Sequence, residues 1–235
     1  MHKISIPEHI AARGRRMRDG REHIFETLDM SRVAHVIVDL QVGFVAEGAP
    51  VEVPVAREIF GEVNSISRAV RAAGGLNVFL RYTYDGGEKL PWNVWFSNYM
   101  SPSQFEITKK AFARGADYWQ FAPELEVAAD DLIIDKTRFS ALIPGTCDMD
   151  EQLKARGVDT LIITGTLTNC CCESTARDAL QMGYNIIFVT DGTATLSDEE
   201  HNATLISMSA IFADVMDTRH LLGLIERSDA TRAAA

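Results

Sequence analysis

The sequence predicts an α/β fold, a three-layer α/β/α sandwich around a six-stranded, mainly parallel sheet. Three observations lead there. Short apolar runs rich in Val, Ile and Leu recur along the chain, as strands buried on both faces do. Between them lie segments whose apolar residues fall at helical spacing. The two kinds alternate, which joins successive strands in parallel through crossover helices.

In chain order, residues 1–32 are polar and partly helical, and Pro7 before Glu8-His9-Ile10 marks a helix start. This N-terminal helical extension is expected to pack on the domain or on a partner subunit. Residues 35–40 read as a buried strand. Ile59, Val63, Ile66 and Val70 make one face of a helix over residues 55–73, and Gly74-Gly75 ends it. Strands follow at 76–82 and 132–136, then a short helix at 151–156 closed by Gly157. A fourth strand covers 159–164, a helix 171–182 stops at Gly183, and a fifth strand covers 185–190. Ser197-Asp198-Glu199-Glu200 matches a capping box opening a helix that reaches about Phe212. A short sixth strand at 214–216 precedes a last helix that Thr218 can cap. One domain over residues 33–227 accounts for this pattern, and the small, polar residues 228–235 read as a flexible tail.

Residues 84–129 break the alternation and hold Trp92, Trp95 and Trp119 together with Tyr99 and Tyr118. A long insert of this kind is often a substrate lid. Packing of the insert or of a subunit interface is the plainer reading of the same aromatics.

The formal charge of −10 argues against nucleic-acid binding, which calls for a basic footprint. The locally basic stretch at residues 13–21 reads as a solvated helix face. No apolar run approaches the ~18 residues of a membrane span, and the N-terminal stretch has no apolar h-region, so neither membrane insertion nor secretion is expected. The cysteines, Cys147 and the consecutive Cys170, Cys171 and Cys172, follow neither a disulfide framework nor a paired zinc knuckle. Adjacent thiols suit a reducing compartment, so a cytoplasmic location is expected.

Asp39 ends the apolar run Val36-Ile37-Val38, and Lys136 closes the strand that begins Leu132-Ile133-Ile134. Cys171 follows Leu161-Ile162-Ile163 and a turn rich in Gly and Thr. The carboxyl ends of parallel strands share one edge, where open α/β sheets bind ligands. An acid, a base and a thiol delivered there suggest nucleophilic catalysis by cysteine. With Thr168 or Asn169 as N-cap, Cys171 falls in the first helical turn, where the dipole favours a thiolate and free N–H groups can hold an oxyanion. Successive helix positions are about 100° apart, so at most one of the three adjacent thiols points squarely into a site. Other readings stay open: the cysteines as small buried hydrophobes, Asp39 as a cap for a neighbouring helix, Lys136 snorkelling to solvent. Asn93, Asn98 and Arg138 are candidates for binding polar or anionic substrate groups, with structural roles as the alternative. Phe44 and Trp95 can form an apolar wall or serve the core.

The segments Val38-Asp39-Leu40-Gln41-Val42-Gly43-Phe44 and Asp135-Lys136-Thr137-Arg138-Phe139-Ser140-Ala141 resemble the isochorismatase-like cysteine hydrolases. So does the longer and more specific run Thr164-Gly165-Thr166-Leu167-Thr168-Asn169-Cys170-Cys171-Cys172-Glu173-Ser174-Thr175-Ala176-Arg177-Asp178-Ala179. The resemblance extends over about residues 33–225. It implies an Asp–Lys–Cys triad at Asp39, Lys136 and Cys171. It also implies a non-proline cis peptide just before Leu167, with the backbone N–H groups of Leu167 and Cys171 as oxyanion hole. True isochorismatases of the family lack the cysteine, so its presence implies hydrolysis of a C–N bond in a small amide, ureide or carbamoyl compound through a thioester. No histidine follows the second strand, where nicotinamidases of this fold carry zinc ligands, and neither a metal nor an organic cofactor is expected. The lid segment around Trp92-Asn93-Val94-Trp95 is most similar to the ureidoacrylate amidohydrolase and carbamoyl-amide branch. A homo-oligomer is the expected assembly. The rival readings are a vinyl-ether hydrolase using Asp39 alone as acid and a non-catalytic scaffold.

Overall fold

The computed structural model describes residues 1–86 and 92–233, with the side chains of Asn93 and of residues 230–233 outside the described set. Chain order is α1 (Glu8–Met17), β1 (Val33–Val38), α2 (Val42–Val45), α3 (Phe60–Ala72), β2 (Leu76–Tyr82), α4 (Asn93–Asn98) and α5 (Pro102–Ala111). It continues with β3 (Leu132–Lys136), α6 (Met149–Ala155), β4 (Thr160–Thr166), α7 (Glu173–Gln181), β5 (Asn185–Ala194), α8 (Asp198–Ser207), β6 (Asp214–Met216) and α9 (Thr218–Ala233).

The sheet order is β3-β2-β1-β4-β5-β6 and every pairing is parallel, so the sheet is wholly rather than mainly parallel. Alternate strand residues feed two cores. Val36, Val38, Leu80 and Ile163 face Met149, Leu153, Ala176 and Leu205 of α6, α7 and α8. Val33, Ile162, Ile187 and Val189 face Ile66, Val70, Leu221 and Leu224 of α3 and α9. That alternation is the two-residue period of a pleated strand, and it gives the three-layer α/β/α fold its two apolar interfaces.

Direction of travel reverses between β1 and β4. The chain builds outward from β1 to β3, then returns to lay β4 against β1 with Val38 opposite Gly165. Such a switch point opens a crevice at the carboxyl ends of the strands. Gly165 is required here: its φ is +109°, and a Cβ would lie 2.1 Å from the Val38 carbonyl oxygen.

Several boundaries differ from the sequence reading. Residues 54–58 form a 3-10 turn ahead of α3, because Pro54 sets the first turn and the regular helix begins at Phe60. The α9 cap is Asp217, whose Oδ1 accepts the His220 N–H at 2.7 Å, while Thr218 instead donates from N and Oγ1 to Asp191. Helix α9 continues to Ala233, into the residues the sequence marks as a tail. Ser228 explains this by burying its hydroxyl, which accepts the Leu28 N–H at 2.8 Å and donates to the Leu224 carbonyl at 2.7 Å. The capping box at Ser197 is present, its Oγ accepting the Glu200 N–H.

The N-terminal extension lies on its own domain. Ser5 donates its N–H to Asn202 Oδ1, and Asn202 returns a bond to the Lys3 carbonyl. Asp214 accepts from the N–H groups of Ile24 and Phe25. Among the described residues no helix is long and apolar enough to cross a membrane.

Candidate active site

Asp39 lies one residue past the end of β1, held in place by its N–H to the Leu80 carbonyl at 3.1 Å. Its φ of +50° turns the chain sharply off the strand, a conformation that Asp tolerates better than most residues. Lys136 is the last residue of β3, paired with Tyr82 across from β2. Asp39 and Lys136 form an ion pair at 2.7 Å, and both side chains are fully buried. The Lys136 ammonium also donates to the Arg138 carbonyl at 2.9 Å. Apart from the ion pair neither Asp39 oxygen has a well-directed hydrogen bond among the described residues.

Burial pushes the Asp39 carboxyl above its usual range, with Lys136 and the nearby Cys171 thiol opposing that rise. Burial alone would lower Lys136, but the charge and hydrogen bond of Asp39 together with the neighbouring Cys171 and Cys170 sulfurs outweigh it, and the ammonium is held above its ordinary value. The pair therefore combines a carboxylate ready to accept a proton with a lysine that stays charged.

Gln41, two residues past Asp39, was assigned no role by the sequence reading. Its amide donates to the carbonyls of Tyr82 and Trp119 at 3.0 and 2.8 Å and accepts the Tyr82 N–H at 2.7 Å. It fixes the ends of β1 and β2 against the inserted segment. Its only sequence signal is a polar residue inside an apolar motif.

Cys171 does not sit in an ordinary first helical turn capped by Thr168 or Asn169. Residues 168–172 form a wider π-type turn that runs into α7 with no side-chain cap. The Leu167 carbonyl accepts from the N–H groups of Cys170 and Cys172, on either side of Cys171, at 3.1 Å each. Thr168 bonds His201 Nδ1 at 2.9 Å, and Asn169 accepts from Thr195 Oγ1 at 2.7 Å, so both side chains are spent on bracing the turn. His2 of the N-terminal extension stacks on His201 at 4.3 Å and accepts the Thr195 N–H, backing the same brace. The cis peptide expected before Leu167 is present, between Thr166 and Leu167.

A hydrogen bond to Cys170 and burial push the Cys171 thiol well up, so it rests protonated. Cys171 is nearly fully buried, as is Cys172, whose thiol points back toward the Thr164 carbonyl at 3.8 Å. Cys147 donates to the Ala141 carbonyl.

Cys170 and Cys171 open into a cavity of about 220 Å³. Two aromatic pairs build much of its wall: Phe44 with Phe112, ring centres 4.8 Å apart, and Trp95 with Phe139 at 5.2 Å. Phe44 and Trp95, read from sequence as wall or core, line this cavity, and Phe44 also packs in the core; Phe112 and Phe139 were missed, since nothing local distinguishes them from core residues. Arg138 lies in the neighbouring clefts instead, donating to Thr137 with its guanidinium 5.1 Å from the Trp92 ring centre. Asn98 is exposed and does not line the cavity. The Asn93 side chain lies outside the described residues. The inserted segment divides its work: Trp95 reaches the cavity, while Trp119 is buried, donates to Thr83 and carries the Arg81 guanidinium 3.4 Å above its ring. Among the described residues no group of three or more His, Cys, Asp or Glu side chains is placed to hold a metal ion.

An α/β/α sandwich with an acid, a lysine and a thiol at its switch point defines a class of hydrolases, and comparison with known proteins agrees. The isochorismatase domain matches residues 33–220, and the chain belongs to the isochorismatase family of hydrolases. It is 35% identical over 180 residues to an uncharacterized isochorismatase family protein, YwoC, of Bacillus subtilis (strain 168), covering 76% of this chain and 86% of that one. It is 27% identical over 215 residues to the ureidoacrylate amidohydrolase RutB of Agrobacterium fabrum (strain C58 / ATCC 33970), covering 86% and 93%. Among solved structures, a cysteine hydrolase from Pseudomonas syringae pv. phaseolicola 1448A superposes with a TM-score of 0.78 at 26% identity, covering 88% of this chain and 98% of that one.

Proposed function

We propose that this hydrolase is a cysteine-dependent amidohydrolase that cleaves a C–N bond of a small amide, ureide or carbamoyl compound through a thioester. The observation that carries this reading is the buried Asp39–Lys136 pair at 2.7 Å, set beside the Cys171 thiol in the wall of an apolar cavity. A scaffold gains nothing from a fully buried ion pair, since such pairs add little stability. Similarity to a protein named ureidoacrylate amidohydrolase and to one described as a cysteine hydrolase supports the same chemistry.

In the proposed cycle Asp39 takes the Cys171 proton, its raised proton affinity suiting it to that task. Lys136 remains charged and stabilises the resulting thiolate. The thiolate attacks the carbonyl carbon, and the N–H groups of Leu167 and Cys171 hold the oxyanion. As the C–N bond breaks, Asp39 passes its proton to the leaving nitrogen, which departs as ammonia or an amine. Asp39 then deprotonates a water that attacks the thioester, and the sulfur leaves and regains its proton as the acid product forms.

The test is ammonia release over a panel of small amides and ureides by wild type, Cys171→Ala and Cys170→Ala, with intact mass measured during turnover. Release by wild type and Cys170→Ala but not Cys171→Ala, with an acyl adduct on Cys171, is the expected result. Equal release by wild type and Cys171→Ala overturns the nucleophile, and release by neither overturns the amidohydrolase reading in favour of the vinyl-ether alternative, in which Asp39 alone acts as acid.

A further inference from the structure

We infer that the cavity beside Cys171 selects an uncharged amide with a compact apolar acyl group, against substrates that carry a carboxylate. The inference rests on the amidohydrolase reading above and concerns its substrate class. The wall is almost wholly apolar: Phe44, Trp95, Met100, Phe112 and Phe139 supply most of it around the two thiols. A cavity of about 220 Å³ is small for a ligand site, so the acyl part is a single ring or a branched aliphatic group.

The charges around the site leave nothing among the described residues for a second carboxylate. Lys136 is fully buried, paired with Asp39 and donating to the Arg138 carbonyl, and does not line the cavity. The Arg138 guanidinium lies in the adjacent clefts, turned onto Thr137, and does not line the cavity that Cys171 opens into. A carboxylate entering this space loses its water with no cation among the described residues to replace it, and it faces the Asp39 charge through the reacting centre. A neutral apolar acyl group gains by the same desolvation.

The test compares wild-type kcat/KM for isobutyramide and benzamide with that for maleamate and ureidoacrylate. Binding to Cys171→Ala is followed in parallel through tryptophan fluorescence, which Trp95 in the wall reports. The neutral amides are expected to be preferred by about 100-fold or more, the scale on which a hydrophobic pocket discriminates, and to quench the fluorescence where the carboxylates do not. Preferred turnover of maleamate or ureidoacrylate, or their tighter binding to Cys171→Ala, overturns the inference while leaving cysteine amidohydrolysis intact. Ammonia release from none of the amides, with no adduct on Cys171, overturns the amidohydrolase reading and this inference with it.

Discussion

Strand β1 leads through two buried ionisable residues that fare in opposite ways. His35, in mid-strand, bonds Thr164 Oγ1 through Nε2 at 2.8 Å and Ser67 Oγ through Nδ1 at 3.2 Å. Both ring nitrogens are satisfied, and burial pushes the imidazole down to about 3, so it stays neutral. Asp39, just past the strand end, is as deeply buried, but it faces Lys136 and has oxygens without well-directed hydrogen bonds. Burial of a titratable group therefore does not mark a site by itself. A satisfied neutral group in mid-strand joins β1 to β4 and α3. A charged, under-satisfied one at the carboxyl edge is kept for a ligand, since unsatisfied buried polar groups are costly and rare.

That contrast can be broken at several points. The largest effect is expected at Cys171: Cys171→Ala should lower kcat/KM for any accepted amide by at least ~10³, about 4 kcal/mol of transition-state stabilisation. Its urea midpoint should stay close to wild type, because only a small thiol is lost.

Lys136→Met should come next. It strands the Asp39 carboxylate in the core and should cost about 3–5 kcal/mol in urea unfolding. Asp39→Asn with Lys136→Met should recover most of that loss without recovering activity. A double variant as unstable as Lys136→Met would mean that the pair is structural.

His35 should behave in the opposite sense. Its folded value of about 3 lies below the ~6.5 of an unfolded histidine, so the unfolded chain takes up the proton first. Its contribution to stability is complete above about pH 6.5 and falls as the pH drops toward 3, by up to ~1.4 kcal/mol per unit. His201, pushed down to about 4, adds a second slope of the same sign. His35→Leu should cost about 1–3 kcal/mol at pH 7 by leaving two hydroxyls unpaired. It should also flatten the acid slope in urea titrations at pH 7, 6 and 5 while amide turnover at pH 7 persists. An unchanged slope would remove His35 from the acid response.

Thr108 should give the smallest effect. Its hydroxyl is buried in the cavity wall with no hydrogen-bond partner among the described residues. Thr108→Val keeps the shape and removes the orphan, so thermal unfolding should show stability unchanged or raised by about 1 kcal/mol. A loss of more than that would reveal a partner for the hydroxyl.

Much of this arrangement was legible in the sequence. The bounds of β2, β3 and β6 follow from apolar runs closed by turn residues, and the Ser197 capping box marks the α8 start. Asp39 and Lys136 stand out because a charge ending a buried strand needs a partner, and each supplies the other's. Less could be read where the outcome depended on distant contacts. The π-type turn at residues 168–172 is braced by His201 and Thr195 from beyond β5, so local capping residues misplace the α7 start. Ser228 makes residues 228–233 part of a helix through its bond to Leu28, 200 positions away.

By itself the sequence determined the alternation of strands and helices, and the charged residues at the strand ends, because both arise from short-range periodicity and the cost of burying charge. Only the tertiary structure decided that β4 lies beside β1, bringing Cys171 to Asp39, and that Phe112 and Phe139 close one cavity with Phe44 and Trp95. Those meetings are set by strand order and by packing between segments far apart in the chain, and no local pattern of residues encodes which distant partner a strand or a ring will find.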